Sequence, residues 1–116
     1  MTRLVNQAKG TVVAERLTVA DSVWSRFRGL MGRKELPVGE GLLIRPSTSV
    51  HTMFMRFAID VVFLDRSLRV VKLSLHVKPF RLAAAFRGAH SALELNAGVA
   101  AEALLEKGDQ LEILEE

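Results

Sequence analysis

Short apolar segments with a two-residue period recur along most of this chain and decide its fold class. The clearest is the segment 68–77, where apolar Val71, Leu73 and Leu75 alternate with polar residues, as expected when one face of a strand is buried. Similar patterns predict strands over Arg3–Val5, Val12–Val19, Leu42–Ile44, Val50–Met55, Asp60–Leu64, Ser91–Leu95 and Leu111–Leu114. So many short strands favour a mainly-β or α+β fold.

Two segments have a helical period instead. The apolar residues after Asp21 fall on one stripe and predict a helix from Asp21 to Met31, with Trp24 and Phe27 buried against the sheet. On this interpretation Trp24→Ala is strongly destabilising. A second short helix is predicted over 98–105. The prediction is an α+β fold with a strongly curved, mostly antiparallel, partly closed barrel-like sheet and two short helices.

Length and composition narrow the class of protein. A chain of 116 residues, 49% hydrophobic and 25% charged, is typical of one globular domain, which we place at 1–116. The absence of cysteine excludes a disulfide framework, a thiolate metal site and a cysteine nucleophile. The sequence has neither an apolar run long enough to span a membrane nor a secretory leader, so we expect a cytoplasmic protein. A secreted form trimmed of its leader would have the same features.

Charge is distributed unevenly. Residues 26–87 carry twelve Lys and Arg against four acidic residues, whereas residues 88–116 carry one Lys against seven acidic residues. The two regions could pair within the chain, or the basic region could face an anionic partner. We favour the simpler interpretation of a solvated surface of mixed charge. The chain has no tyrosine and 6% aromatic residues, too few for a stacking platform, so we expect no specific nucleic-acid binding.

Motifs for metal or cofactor chemistry are weak. His51, Met53 and Met55 would share one face of a predicted strand, where imidazole and thioether groups suit Cu(I). We favour core packing for the methionines, and therefore predict no metal and no cofactor. The sequence also lacks a phosphate-binding glycine loop and a serine nucleophile elbow.

Asp60 and Glu94 are carboxylates that each lie within an apolar stretch of the sequence. A carboxylate in such a stretch either faces solvent or is buried with partners. The two carboxylates and His51 could form a general acid–base set. We favour a structural role, in which Asp60 accepts hydrogen bonds from loop amides at a strand entry and pairs with Arg33, or else with Arg56.

Four segments resemble the domain-of-unknown-function 192 family over residues 11–114: Phe27–Arg33, His51–Asp65, Leu93–Gly98 and Gly108–Asp109. The resemblance implies a compact α+β fold with a curved, barrel-like sheet and implies no activity. The positions that it marks are Gly29, Leu30, Met31, Arg33, Met55, Asp60, Asp65, Glu94, Gly98 and Asp109.

This sequence departs from the family pattern at two positions. Ala58 stands where the resemblance leads us to expect proline, and Leu68 stands where a hairpin glycine is expected. Because leucine is strained in a left-handed backbone, we expect the turn at Leu68 to take another shape.

The leading functional hypothesis is a non-enzymatic binding or accessory module for a small ligand or protein. Its shallow polar site is a cluster formed by Arg33, His51, Met55, Asp60 and Glu94. The alternative is a hydrolase-type enzyme that uses Asp60 or Glu94 as general base with His51. A third is weak binding of polyanions or anionic surfaces through residues 26–87. A carboxylate with a raised pKa in a cleft would favour the enzyme, and a contiguous basic face would favour the third.

Overall fold

The computed structural model describes residues 2–116, which form ten strands and two short helices. Their bounds are β1 (Thr2–Asn6), β2 (Thr11–Ala14), β3 (Arg16–Ala20), α1 (Val23–Arg28), β4 (Glu40–Ile44), β5 (Ser49–His51), β6 (Ile59–Leu64), β7 (Val70–Val77), β8 (Leu82–Ala84), β9 (Ser91–Asn96), α2 (Val99–Glu102) and β10 (Leu111–Glu115).

The described strands form three sheets. The largest has the order β3-β4-β9-β6-β7, and all its pairs are antiparallel except β3 with β4. A second sheet has the order β10-β1-β2, and β5 pairs with β8. The predicted α+β fold with mostly antiparallel strands and two short helices is confirmed. The sheets do not close into a barrel, so the barrel-like part of that expectation is not found.

The central strand β9 divides the core into two apolar clusters. Leu93 and Leu95 point into the first cluster, which includes residues of β1 and α2. Ala92 points to the opposite face, into the second cluster with Ile44 and Met55. Because side chains alternate along a strand, Glu94 lies on this second face as well. The five-stranded sheet is thus covered on both sides.

Several strand boundaries differ from the prediction. The segment 12–19 is two strands, β2 and β3, separated at Glu15. The predicted strand over 50–55 ends at His51, and the chain then turns, so the expected common face of His51, Met53 and Met55 is wrong. Met53 is exposed while Met55 is buried in the core. An apolar pattern alone does not show where a strand loses its hydrogen-bonded partner.

Helix α1 is shorter and less buried than predicted. The predicted helix runs from Asp21 to Met31, whereas Ser22 caps the observed helix and Gly29 ends it. Trp24 is 67% exposed and Phe27 is also exposed, so their predicted burial is wrong, whereas Leu30, just beyond the helix, is buried. The helical period shows that these apolar residues lie on one face of the helix, but it does not show whether another element packs against that face. Trp24→Ala is therefore not expected to be strongly destabilising.

The turn at Leu68 keeps the left-handed shape, against expectation, with φ of +68°. Neighbouring hydrogen bonds hold it there. The Asp65 side chain accepts from the amides of Ser67 (2.8 Å) and Arg69 (2.9 Å), and the Leu68 amide donates to the Asp65 carbonyl (3.0 Å). These bonds offset the strain that a left-handed leucine carries.

Asp60 is buried and accepts three backbone hydrogen bonds. Its Oδ1 accepts from the His76 amide (2.9 Å), and its Oδ2 accepts from the amides of Gly98 (3.0 Å) and Ala100 (3.1 Å). The expected bonding to loop amides is confirmed. The expected pairing with Arg33, or else with Arg56, is not found, because all the hydrogen bonds that the carboxylate accepts come from backbone amides. Asp60 thus joins β6 to β7 and to the start of α2.

Asp60→Asn should destabilise the fold. One carboxylate oxygen is replaced by an amide that donates, so at least one backbone N–H loses its acceptor, at about 1.5–3 kcal/mol for a bond to a charged group. Urea denaturation measures the change, with exposed Asp21→Asn as the control. Equal unfolding free energies for both variants would contradict this role for Asp60.

Candidate functional site

Glu94 is the buried acidic side chain on the second face of the large sheet. It is 1% exposed, and its Oε1 has no hydrogen-bond partner among the described residues. Burial raises the pKa of Glu94 to about 8, and the positive charge of Arg33 opposes this only in part. Glu94 is therefore mainly neutral at pH 7 and can donate a hydrogen bond.

A cleft of about 230 Å³ leads to this carboxyl. It lies between α1 and the segment 46–51. Its volume is below the range of about 300–1,000 Å³ that drug-sized ligands occupy. Apolar and polar groups both line it: Arg26, Phe27, Arg28, Gly29, Leu30, Ile44, Pro46, Ser47, Ser49, Val50, His51 and Glu94.

Gly29 allows the end of α1 to lie over the carboxyl. Its φ is +48°, in the region that favours glycine, and a Cβ added there would lie 3.2 Å from Glu94 Oε1 and 3.7 Å from Ile44 Cδ1. Any side chain at this position would press against the free oxygen. The family-marked glycine therefore shapes the floor of the cleft.

Two arginines, Arg26 and Arg28, line the cleft. The Arg26 guanidinium donates from Nη1 to the Pro46 carbonyl (3.1 Å) and so links α1 to the opposite wall. Within residues 2–116, the exposed side chains of Arg28 and Arg33 make no ion pair or hydrogen bond. Arg28 and Gly29 also line a second cleft of about 210 Å³ on the other side of α1, together with Arg33. Two cations thus lie free beside the helix end.

Aromatic side chains form one rim of the cleft. The Phe27 ring centroid lies 6.2 Å from that of Trp24 and 6.1 Å from that of His51. His51 Nδ1 accepts a hydrogen bond from the Met53 amide (3.3 Å), which leaves the proton of the neutral ring on Nε2. Nε2 is therefore the ring nitrogen of His51 that can donate a hydrogen bond to another group.

The structure brings part of the predicted cluster together. Glu94 and His51 line one cleft, and the charge of Arg33 acts on Glu94. Met55 is buried in the second apolar cluster. Asp60 pairs across the strands with Leu95, which belongs to the first cluster, so its carboxylate faces away from Glu94. Sequence reasoning missed Arg28, although its position directly before Gly29 in the Arg-Gly-Leu-Met element was a usable signal.

The other family-marked acidic residues have satisfied carboxylates. Asp60 and Asp65 accept backbone amides, as described above. Asp109 Oδ2 accepts from Asn6 Nδ2 (3.0 Å), from Lys9 Nζ (2.9 Å) and from the Glu106 amide (3.0 Å). Burial alone would raise the pKa of Asp109, but these bonds outweigh it and lower the pKa. Glu94 differs from all three because its buried oxygen lacks a donor.

Among residues 2–116, no group of three or more His, Asp or Glu side chains is arranged to hold a metal ion. No described helix is long and apolar enough to cross a membrane.

The fold and the cleft define a small α+β protein with a buried carboxyl at the floor of an arginine-rimmed cleft. The chain belongs to the DUF192 family, described as an uncharacterized ACR, whose model matches residues 4–113. The resemblance noted in the sequence is thereby confirmed.

Relatives and solved structures agree with this assignment. A UPF0127 protein of Pyrococcus furiosus is 38% identical over 112 residues, covering 94% of this chain and 96% of the relative. One of Thermococcus sibiricus is 34% identical over 113 residues, covering 94% and 73%. A Novosphingobium aromaticivorans protein of unknown function has a TM-score of 0.81 at 23% identity, covering 96% of this chain and 82% of its own.

A Sinorhizobium meliloti protein described as a candidate transcription regulator has a similar structure. The TM-score is 0.82 at 21% identity, covering 96% of this chain and 90% of the other. At these identities the two structural neighbours establish the fold alone.

The raised pKa of Glu94 makes stability depend on pH. Because the folded state holds this proton to about pH 8 and the unfolded chain releases it near 4.5, stability should fall as pH rises between those values. The slope approaches about 1.4 kcal/mol per pH unit. Glu94→Gln keeps the shape without ionising and should remove this contribution, as measured by urea unfolding across that range.

The control is Glu35→Gln, which changes an exposed carboxylate and should follow the wild-type curve. Parallel curves for the wild type and Glu94→Gln would show that Glu94 does not titrate in this window.

Proposed function

We propose that this chain is a small-molecule-binding module whose α1 cleft takes a small organic anion. The observation that carries the proposal is a carboxyl that lines the cleft, that of Glu94, whose buried Oε1 has no hydrogen-bond partner among the described residues. An unsatisfied buried polar atom is costly, and a ligand that bonds to it would remove that cost.

The charges around the cleft favour an anion. Arg28 lines the cleft and Arg33 lines the neighbouring cleft, and neither has an ion-pair partner among the described residues. Guanidinium groups bind carboxylates and other oxoanions in a bidentate manner. A cationic ligand would have to approach these arginines and would be repelled. An oxoanion held at the rim therefore fits the site best.

The neutral carboxyl supplies a second point of recognition. With a pKa of about 8, Glu94 at neutral pH presents a proton to a ligand oxygen without repelling an anion. The apolar walls, including Ile44 and Val50, leave room for a short carbon chain between the two ends. This arrangement suits a small carboxylic acid with a further oxygen acceptor.

Intrinsic fluorescence offers a direct binding assay. Trp24 is the one tryptophan in the sequence and lies beside Phe27 on the rim. Titration with acetate, lactate, succinate and inorganic phosphate should give saturable binding for at least one anion. Arg28→Gln should weaken it by about tenfold or more, because a bond to a charged group is lost.

Arg87→Gln, an exposed change outside the cleft, is the matched control and should bind as the wild type does. Affinity should also fall as pH rises through about 8, when Glu94 ionises beside the anion, and Glu94→Gln should remove this dependence. The absence of saturable binding by every anion tested, or equal affinities for wild type and Arg28→Gln, would contradict the proposal.

General acid–base catalysis by Glu94 with His51 is the second candidate. The observation that favours it is the raised pKa of a carboxyl in a cleft, the criterion set from the sequence for an enzyme. The two candidates differ in the fate of the ligand. A binding module returns the anion unchanged after long incubation, as seen by NMR, whereas an enzyme converts it and loses that conversion in Glu94→Gln.

A further inference from the structure

Two exposed phenylalanines at neighbouring loops form a feature unconnected with the cleft. The rings of Phe54 and Phe80 meet edge to face with centroids 5.9 Å apart, and they are 64% and 54% exposed. Both residues have a left-handed backbone, with φ of +62° in each. Bulky residues rarely adopt this conformation, and such strain concentrates at functional positions.

Thr52 holds the two loops together. It is fully buried, its amide donates to the Arg81 carbonyl (2.8 Å), and its carbonyl accepts from the Phe80 amide (2.9 Å). Its Oγ1 donates to the Lys78 carbonyl (2.6 Å) and accepts from the Arg81 amide (2.8 Å). The Phe54–Phe80 pair is therefore held outward by a buried hydrogen-bond network and not by its own packing.

The surroundings of the pair are basic. Arg56, Lys78 and Arg81 are exposed on the same two loops. Neither the segment 41–59 nor the segment 66–93 contains an Asp or Glu. Cations thus flank the exposed rings without acidic residues in either loop.

From these observations we propose that the chain binds the surface of an anionic phospholipid bilayer through the Phe54–Phe80 pair and its flanking cations. Aromatic side chains partition to the interfacial region of a bilayer, and clustered Lys and Arg are attracted to anionic headgroups. Leu82, exposed at the start of β8, extends the apolar surface. Because the residues that flank the rings are cationic, we expect binding to an anionic surface and not to a neutral one.

Sedimentation with vesicles tests this proposal. The wild type should bind vesicles of mixed phosphatidylcholine and phosphatidylglycerol, more weakly as salt is raised, and should not bind phosphatidylcholine alone. The double variant Phe54→Gly/Phe80→Gly should lose at least about tenfold in affinity. Since glycine relieves the left-handed strain, this variant should keep its melting temperature, and the loss cannot be attributed to unfolding.

The matched control is Leu104→Gly. Leu104 is also left-handed and 54% exposed, but it follows α2 on the other side of the large sheet. It should bind vesicles as the wild type does. Three results would overturn the proposal: no binding of the wild type to anionic vesicles, equal binding to neutral ones, or undiminished binding by the double variant. Tight binding of duplex DNA by a wild type that ignores vesicles would assign the basic loops to nucleic acid instead.

Discussion

The burial of one carboxyl on the central strand constrains the architecture around the cleft. Glu94 lies on β9 between β4 and β6, and it is almost completely buried. Its free oxygen requires a residue without a side chain at the end of α1, and Gly29 provides it. The helix then passes over the sheet without burying its own aromatic residues, which leaves Phe27 and Trp24 at the rim. Because a charged carboxylate in this buried position would be costly, Glu94 keeps its proton until the pH exceeds its raised pKa of about 8.

The buried and turn-forming acidic residues differ in whether the fold supplies hydrogen-bond donors to their carboxylates. Asp60, Asp65 and Asp109 each accept two or more hydrogen bonds from nearby donors, and each fixes a turn or joins two elements. These three residues therefore have structural roles. Glu94 takes no comparable part, and its protonated form serves neither a turn nor an ion pair. In the proposed function, Arg28 and the protonated Glu94 would act as a cationic and a neutral donor to the bound anion.

Part of this arrangement was readable from the sequence. The alternating pattern of 68–77 and the apolar run after Asp60 predicted strands that the structure contains, because burial on one or both faces leaves a period in the residues. The same reasoning wrongly predicted that Trp24 and Phe27 are buried, since an apolar helix face does not show whether another element packs against it. It selected Glu94 as a carboxylate in an apolar stretch, left its burial open and could not distinguish it from Asp60. That distinction depends on which backbone amides the fold brings to each, a consequence of strand register.

Carbon-detected NMR of the Glu94 carboxyl, assigned with the Glu94→Gln variant, tests the central claim most directly. The chemical shift followed from pH 3 to pH 10 reports the protonation of this group alone. The structure predicts a midpoint near pH 8, with the carboxyl neutral at pH 7. A midpoint near the ordinary value of 4.5 would show that the carboxyl is ionised under neutral conditions and would contradict the account of the site.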